Sequence, residues 1–146
     1  MAEPGEVNFG GKVHGGAVMR WIDQAGYSCA VNWSQRYCVT VYVGGIRFLK
    51  PIHIGQLVEV EAKLIFTGKT SMHIAVDVWA RELAQSERQH TTHCIIVFVA
   101  VDEAGKPVPI NSWEPTSEHD LGLRDYAQRL MQLREGIEKE MARFTF

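Results

Sequence analysis

The sequence has little net charge, few cysteines and no long apolar run, and each shortage argues against a class of protein. Its 15 basic and 17 acidic residues give a formal net charge of −2, so composition does not favour nucleic-acid binding. No apolar stretch reaches the length of a transmembrane helix. Residues 1–6 are acidic and lack the apolar run of a signal peptide. We therefore expect a cytoplasmic protein that neither binds nucleic acid nor inserts into a membrane.

The three cysteines do not suggest a disulfide framework. Cys29, Cys38 and Cys94 are odd in number, widely spaced and set in apolar surroundings, which is typical of reduced core thiols. His90 and His93 invite a metal interpretation, but we place both on one strand, where residues three apart point to opposite faces. The sequence therefore predicts no metal site.

The most informative stretch is a glycine-opened helix over residues 13–27. The chain has 146 residues and 46% hydrophobic content, which suits one compact domain with a core. At the helical spacing, one broad apolar face collects Val18, Trp21, Ile22, Ala25 and Cys29. We therefore expect this to be the central core helix.

Asp23 lies at the margin of that apolar face, and we expect the small neighbours Gly26 and Ala30 to leave room beside its carboxylate. Gly15 and Gly16 open the helix, and their free N–H groups suit an oxyanion or a polarised carbonyl. Gly16 and Asp23 lie about 10 Å apart along the helix axis. If both act on one carbonyl carbon, two antiparallel copies of the helix must meet. The spacing therefore predicts a dimer.

The segments after the helix alternate like strands. We predict strands over residues 37–43 resuming at 46–49, 57–66, 72–78 and 93–101. Gly44-Gly45 interrupts the first, which indicates a bulge or a close approach of ligand to backbone. The predicted fold class is α+β, with a curved antiparallel sheet wrapped around the long helix.

The last segment is predicted to be a second helix. Ser117 and Asp120 form a capping pair, and the helix runs to about Phe144. Its apolar stripe consists of Tyr126, Leu130, Leu133, Ile137, Met141 and Phe144. We divide the chain into a domain over residues 1–110, and a linker with an amphipathic helix over 111–146 that packs on the domain or on a neighbouring subunit.

The motif Asn8-x-x-Gly11-x-x-His14-Gly15-Gly16, followed by Trp21-Ile22-Asp23-x-Ala25-Gly26, resembles the acyl-CoA thioesterases of the hot-dog fold. That group contains the bacterial short-chain enzymes and the cytosolic brain-type acyl-CoA hydrolase. The resemblance covers roughly residues 7–110. It continues through Val39-Thr40-Val41, Arg47-Phe48-Leu49-Lys50-Pro51, Gly68-Lys69-Thr70-Ser71 and the strand end Phe98-Val99-Ala100-Val101-Asp102.

The resemblance implies a hot-dog fold in which the helix is wrapped by the sheet. It implies a homodimer with a continuous double sheet, assembling further to a hexamer as a trimer of dimers, with acyl-CoA bound between subunits. The implied reaction converts acyl-CoA and water to a carboxylic acid and free CoA. No cofactor is implied, because CoA enters only as part of the substrate and product.

The resemblance also implies catalytic roles. Asp23 corresponds to the catalytic acid, acting as general base on water or attacking directly to form an anhydride. Asn8 of the other subunit positions the water or the thioester. Backbone N–H groups near Gly15 and Gly16 hold the carbonyl oxygen as negative charge develops. Thr40 is expected near the site as a hydrogen-bonding residue.

The phosphates of CoA require a local basic cluster. The candidate cations are Arg47, Lys50, Lys69 and Arg81, and we favour Lys69 because it lies beside a glycine in the matching loop. Thr70 and Ser71 are candidate neutral donors. His14, directly before the helix, completes the predicted substrate-binding set.

Two alternative functions stay open. A hot-dog hydratase or dehydratase pairs a catalytic histidine with a helix acid, and His14 stands before the helix; the spacing from Gly-Gly to Asp23 favours a hydrolase. A non-catalytic module that binds and senses acyl-CoA would not need both Asn8 and Asp23.

Overall fold

The computed structural model describes residues 1–144 as two helices on opposite faces of one sheet. A short 3₁₀ turn over Pro4–Glu6 precedes the main elements. These are α1 (Gly15–Ser34), β1 (Cys38–Phe48), β2 (Leu57–Thr67), β3 (Ser71–Arg81), β4 (Gln89–Ala100) and α2 (Glu118–Met141). The strands form an antiparallel sheet in the order β1-β4-β3-β2, which confirms the predicted α+β architecture.

The predicted core helix packs against the sheet through small as well as large residues. Ile22 and Ala30 are fully buried on α1. A Cβ atom at Gly26 would lie 2.9 Å from Ile96 Cγ2 and 3.0 Å from Phe98 Cε2. The expectation that Gly26 and Ala30 leave space beside Asp23 was therefore wrong. Their small size lets the backbone of α1 approach β4 closely, and the sheet fills the space.

One edge of the sheet is open at β1. The pairing of β1 with β4 shifts register between Thr40 and Tyr42 and again between Gly44 and Arg47, where Gly45 has φ +61°. The predicted bulge at the paired glycines is confirmed. Several large apolar side chains of the strand are exposed; these are Val41, Val43, Ile46 and Phe48. An open edge with apolar side chains favours pairing with another strand.

The prediction that His90 and His93 point to opposite faces was wrong. The pairing of β3 with β4 shifts register at Thr91, which stands as an extra residue on β4. Thr91 is buried, and its hydroxyl donates a hydrogen bond of 3.0 Å to the carbonyl of Val78. A bulge of one residue restores an even offset between the two histidines. Both therefore face the same side of the sheet, where both contact Asp77.

The second helix begins at the predicted cap, because the Asp120 N–H donates a hydrogen bond of 3.0 Å to Ser117 Oγ. α2 packs on the face of the sheet opposite α1, with Ala127 at 1% exposure in an apolar cluster. Further along, Leu133 and Ile137 are 64% and 54% exposed. Only the first half of the apolar stripe therefore docks on its own sheet. Within residues 1–144, neither helix combines the length and apolarity needed to cross a membrane.

Replacing Gly26 with valine should destabilise the protein by about 1–3 kcal/mol, because the added atoms overlap Ile96 and Phe98. The matched control is Gly122→Ala, on α2, where an added Cβ has no neighbour within 4 Å. That control should stabilise by about 0.5–1 kcal/mol through helix propensity. Urea unfolding at one fixed protein concentration measures both changes. An unchanged midpoint for Gly26→Val would contradict the close packing of α1 on β4.

Candidate active site

A single acid on α1 is held by a hydroxyl from the neighbouring strand. Thr40 Oγ1 donates a hydrogen bond of 3.1 Å to Asp23 Oδ1. Both side chains are exposed beside the open edge of β1. Within residues 1–144 no other hydrogen bond reaches this carboxylate, so its second oxygen is available to accept a proton or to attack a carbon. The structure thus brings together two of the predicted site residues.

The start of α1 presents free backbone donors. His14 is the N-cap residue, and its carbonyl accepts hydrogen bonds from Ala17 and Val18. In the described part of the chain, the N–H groups of Gly15 and Gly16 have no acceptor. A Cβ atom at Gly16 would meet nothing within 4 Å, so a ligand has free access to this backbone. The helix start is therefore suited to hold a carbonyl oxygen as negative charge grows on it.

Asn8 shapes the loop before the helix. Its Oδ1 accepts hydrogen bonds from the N–H groups of Gly10 at 2.9 Å and Lys12 at 3.2 Å. Its amide nitrogen donates to no atom of residues 1–144 and stays available. Asn8 lines a surface cleft together with Gly15 and Phe48, whereas Asp23 is not part of that cleft. Within one chain, the asparagine and the acid therefore lie at separate places on the surface.

The predicted phosphate-binding residues do not form one cluster within a chain. Arg47 pairs across the sheet with His93, whereas Ser71, beside Lys69, pairs with Val99. These positions are about 20 Å apart at the usual rise of a strand. The two cations therefore belong to opposite ends of the sheet.

The loop that carries Lys69 is held by its backbone. The Thr70 carbonyl accepts a hydrogen bond of 3.2 Å from the Ala100 N–H, and the Ser71 carbonyl accepts one of 2.9 Å from the Gly68 N–H. The Lys69 side chain stays exposed. By contrast, Arg81 Nη1 donates to carbonyls of residues 82–85, so its guanidinium is committed to a turn.

A second polar cluster lies on the face of the sheet that carries α2, where the sequence had predicted no metal site. Asp77 Oδ1 lies 2.7 Å from His90 Nε2 and 2.8 Å from His93 Nδ1. His93 Nε2 lies 2.8 Å from Tyr126 Oη. Burial acts to raise the pKa of Asp77, but hydrogen bonds and charge from the two histidines lower it overall. The His-x-x-His spacing was the available signal. It was misinterpreted because the bulge at Thr91, which places both histidines on one face, could not be predicted from the sequence.

An apolar cavity of about 160 Å³ lies between α2 and the sheet, bordered by Gly44, Gly45 and Leu130. His73 lies on its wall and is 4% exposed. Burial and the charge of Arg134 lower the pKa of His73 to about 4, so the imidazole is neutral at pH 7. This histidine is therefore a core residue and not a second base beside Asp23.

Comparison with known proteins gives a family. The thioesterase superfamily matches residues 10–87, more than half of the chain. The chain is 34% identical over 113 residues to the acyl-CoA thioester hydrolase YciA of Salmonella typhimurium, covering 75% of this chain and 85% of that protein.

Solved structures extend the similarity to both helices. An acyl-CoA hydrolase from Bacillus cereus superposes with a TM-score of 0.87 at 27% identity, covering 98% of this chain and 89% of the other. A hexameric thioesterase from Yersinia pestis superposes with a TM-score of 0.72 at 38% identity, covering 77% and 91%. Because the Bacillus cereus match spans almost all of the chain, α2 is part of the shared fold. The chain belongs to the thioesterase superfamily, and its helix-and-sheet architecture is the hot-dog fold.

Proposed function

We propose that this protein is an acyl-CoA thioesterase, which hydrolyses the thioester of acyl-CoA to a carboxylic acid and free CoA. The observation that carries the proposal is the exposed Asp23 carboxylate, held by Thr40 at the open edge of β1. The similarity to a relative named an acyl-CoA thioester hydrolase supports the substrate class. The hydratase alternative needs a histidine beside the acid, and the ring of His14 makes no hydrogen bond to Asp23.

The complete site forms when two chains pair through β1. Asp23 and Thr40 lie toward one end of this strand, whereas Asn8 and Gly15 share a cleft with Phe48 at the other end. Antiparallel pairing about the middle of β1 brings the two ends of different copies together. The free N–H and C=O groups of the edge strand then become paired, and its exposed apolar side chains become buried. One dimer thereby contains two identical shared sites.

The proposed reaction uses groups from both chains. Asp23 takes a proton from water, and the resulting hydroxide forms a bond to the thioester carbon. The N–H groups of Gly15 and Gly16 of the partner hold the oxyanion. The carbon–sulfur bond then breaks, and the thiolate of CoA takes the proton from Asp23. In the alternative route, Asp23 attacks the carbon, the carbon–sulfur bond breaks and CoA leaves as the thiolate. Water then hydrolyses the resulting anhydride, which frees Asp23 and the carboxylic acid and supplies the proton that the thiolate takes up.

The same pairing explains how CoA is held. Arg47 of one copy and Lys69 of the other lie toward the same end of the assembled sheet, although they are far apart within one chain. Thr70 and Ser71 add neutral donors next to Lys69. We infer that the phosphates of CoA lie along this end and that no cofactor takes part.

We further propose that dimers assemble into a hexamer in the cytoplasm. The Yersinia pestis thioesterase described as hexameric supports the assembly, and the exposed apolar half of α2 offers a surface for it. Cys29, Cys38 and Cys94 are free thiols, which is typical of a reducing compartment.

Asp23→Asn should lower kcat by at least about 100-fold, because a nearly isosteric amide removes the base. The measurement is thiol release from short, medium and long acyl-CoAs, which also gives the chain-length preference. The control is Asp125→Asn, which removes an exposed carboxylate paired with Arg129 on α2 and should leave turnover unchanged. If the unmodified protein binds acyl-CoA but hydrolyses none of the panel, it is a sensor and the enzyme proposal fails.

A mixture of two inactive variants should recover activity if the site is shared. Asn8→Asp keeps the acceptor for the N–H groups of Gly10 and Lys12 but removes the amide donor, so the loop should persist. Equal co-expression with Asp23→Asn gives mixed dimers with one intact site each, and about a quarter of full activity. No recovery in chromatographically verified mixed dimers would show that both residues act within one chain.

Thr40→Val should lower kcat by about tenfold with little change in KM, because it removes one hydrogen bond to the charged carboxylate. Thr40→Ser keeps the hydroxyl and should restore most of the turnover. Steady-state kinetics on the best acyl-CoA of the panel measures both variants. Full turnover in Thr40→Val together with a loss in Thr40→Ser would mean that the methyl group of Thr40, and not its hydrogen bond, supports the site.

A further inference from the structure

We propose that Asp77, His90 and His93 bind one divalent transition-metal ion and that Zn²⁺ is the ion their chemistry fits. One carboxylate oxygen and two imidazole nitrogens are ligands that zinc commonly takes in proteins. These three ligand atoms all lie within 4.8 Å of one another. The cluster lies on the α2 face of the sheet, opposite α1, so it is separate from the acid Asp23.

The local backbone is built to make these side chains converge. Thr91 is the bulged residue that returns His90 to the face of His93. It is fixed from two sides, since its hydroxyl bonds to β3 and its carbonyl accepts N–H groups of Leu49 at 2.8 Å and Lys50 at 3.2 Å. A regular strand would leave one histidine on the α1 face, so the convergence depends on the bulge.

The required ligand geometry is reached from the observed one by rotation of the side chains. Asp77 Oδ1 lies 2.7 and 2.8 Å from the two histidine nitrogens. Ligand atoms around a tetrahedral zinc ion are separated by about 3.3 Å. All three ligand atoms lie within 4.8 Å of one another, and side-chain rotations bring them to this spacing. The side chains are 30%, 32% and 21% exposed for Asp77, His90 and His93, so an ion has access and water completes the coordination.

The outer contacts are those of a metal site. Tyr126 Oη lies 2.8 Å from His93 Nε2, the ring nitrogen that would not bind the ion. Such a partner fixes the ring orientation and tautomer of a ligating histidine. His90 is stacked on Trp79, with ring centroids 4.6 Å apart, which restrains the second ring. An ion bound here would therefore connect β3 and β4 to α2.

The surrounding charge permits a cation. Asp77 supplies one negative charge, and each imidazole binds a metal ion in its neutral form, which adds no positive charge. The nearby Arg88 guanidinium lies over Trp79 and is paired with Glu59 and Glu61, so its charge is balanced. Arg47 faces His93 from β1, and its positive charge limits the affinity without occupying the ligand atoms.

The direct test is a zinc titration of the full-length protein after treatment with a chelator, followed by a crystal structure with anomalous data at the zinc edge. We expect one ion per chain, about 2.0–2.2 Å from Asp77 Oδ1, His90 Nε2 and His93 Nδ1. The thermal midpoint should rise with zinc concentration, because the ion binds the folded chain. Zinc found only at the cysteines or at surface residues outside the cluster, or no zinc, overturns the proposal.

Three variants separate a metal site from a hydrogen-bonded network. Asp77→Asn removes the charged ligand. It should weaken zinc binding by more than about 100-fold, which is the upper end of the loss when an outer hydrogen-bond partner is removed. Tyr126→Phe should weaken it about tenfold with the same stoichiometry. His119→Ala removes an exposed histidine of α2 and should change nothing. Equal weakening by His119→Ala and Asp77→Asn, with both folded by circular dichroism, would show non-specific binding.

Asp23→Asn keeps the test independent of the enzymatic proposal. That variant should bind zinc as tightly as the parent, whether or not the parent hydrolyses acyl-CoA.

Discussion

The close packing of α1 on β4 at Gly26 is the contact on which the rest of the site depends. A glycine there lets the helix backbone approach Ile96 and Phe98 more closely than any side chain would permit. Phe98 is also the residue that pairs with Thr40 on β1. Seating the helix against Phe98 therefore sets the distance between Asp23, one turn earlier on α1, and the hydroxyl that holds it. The packing of the core and the orientation of the acid are therefore set by the same contact.

The open edge of β1 gives a physical reason for a shared site. A strand with free backbone groups and exposed apolar side chains is a liability for a single chain, and pairing with a second copy removes that liability. The acid lies toward one end of this strand, and the asparagine with the free helix amides lies near the other. The antiparallel dimer that we propose therefore stabilises the edge and brings the acid and the asparagine of different chains together through the same contact.

The two faces of the sheet carry different tasks. The face toward α1 buries the main core and positions the acid, whereas the other face holds α2 through an apolar cluster and the link from Tyr126 to His93. Bulges redirect side chains on the edge strand β1, at Gly44–Gly45, and on the inner strand β4, at Thr91. Since a bulge inserts one residue without altering the fold, it can redirect side chains into a site while the architecture stays the same.

The sequence alone determined the helices and strands, and it predicted the residues of the proposed shared site. Helical periodicity located α1 and its buried face, alternation located the four strands, and Ser117 marked the start of α2, because these signals act within one turn or one strand. The spacing of Gly16 and Asp23 also indicated that one chain was insufficient. The tertiary structure decided which of these residues lie close together. Gly26 accommodates β4 and does not leave room beside Asp23, Arg47 and Lys69 lie at opposite ends of the sheet, and His90 and His93 share a face. Each depends on a partner strand or on hydrogen bonds from distant residues, such as those of Leu49 and Lys50 to Thr91, which a local pattern along the chain does not contain.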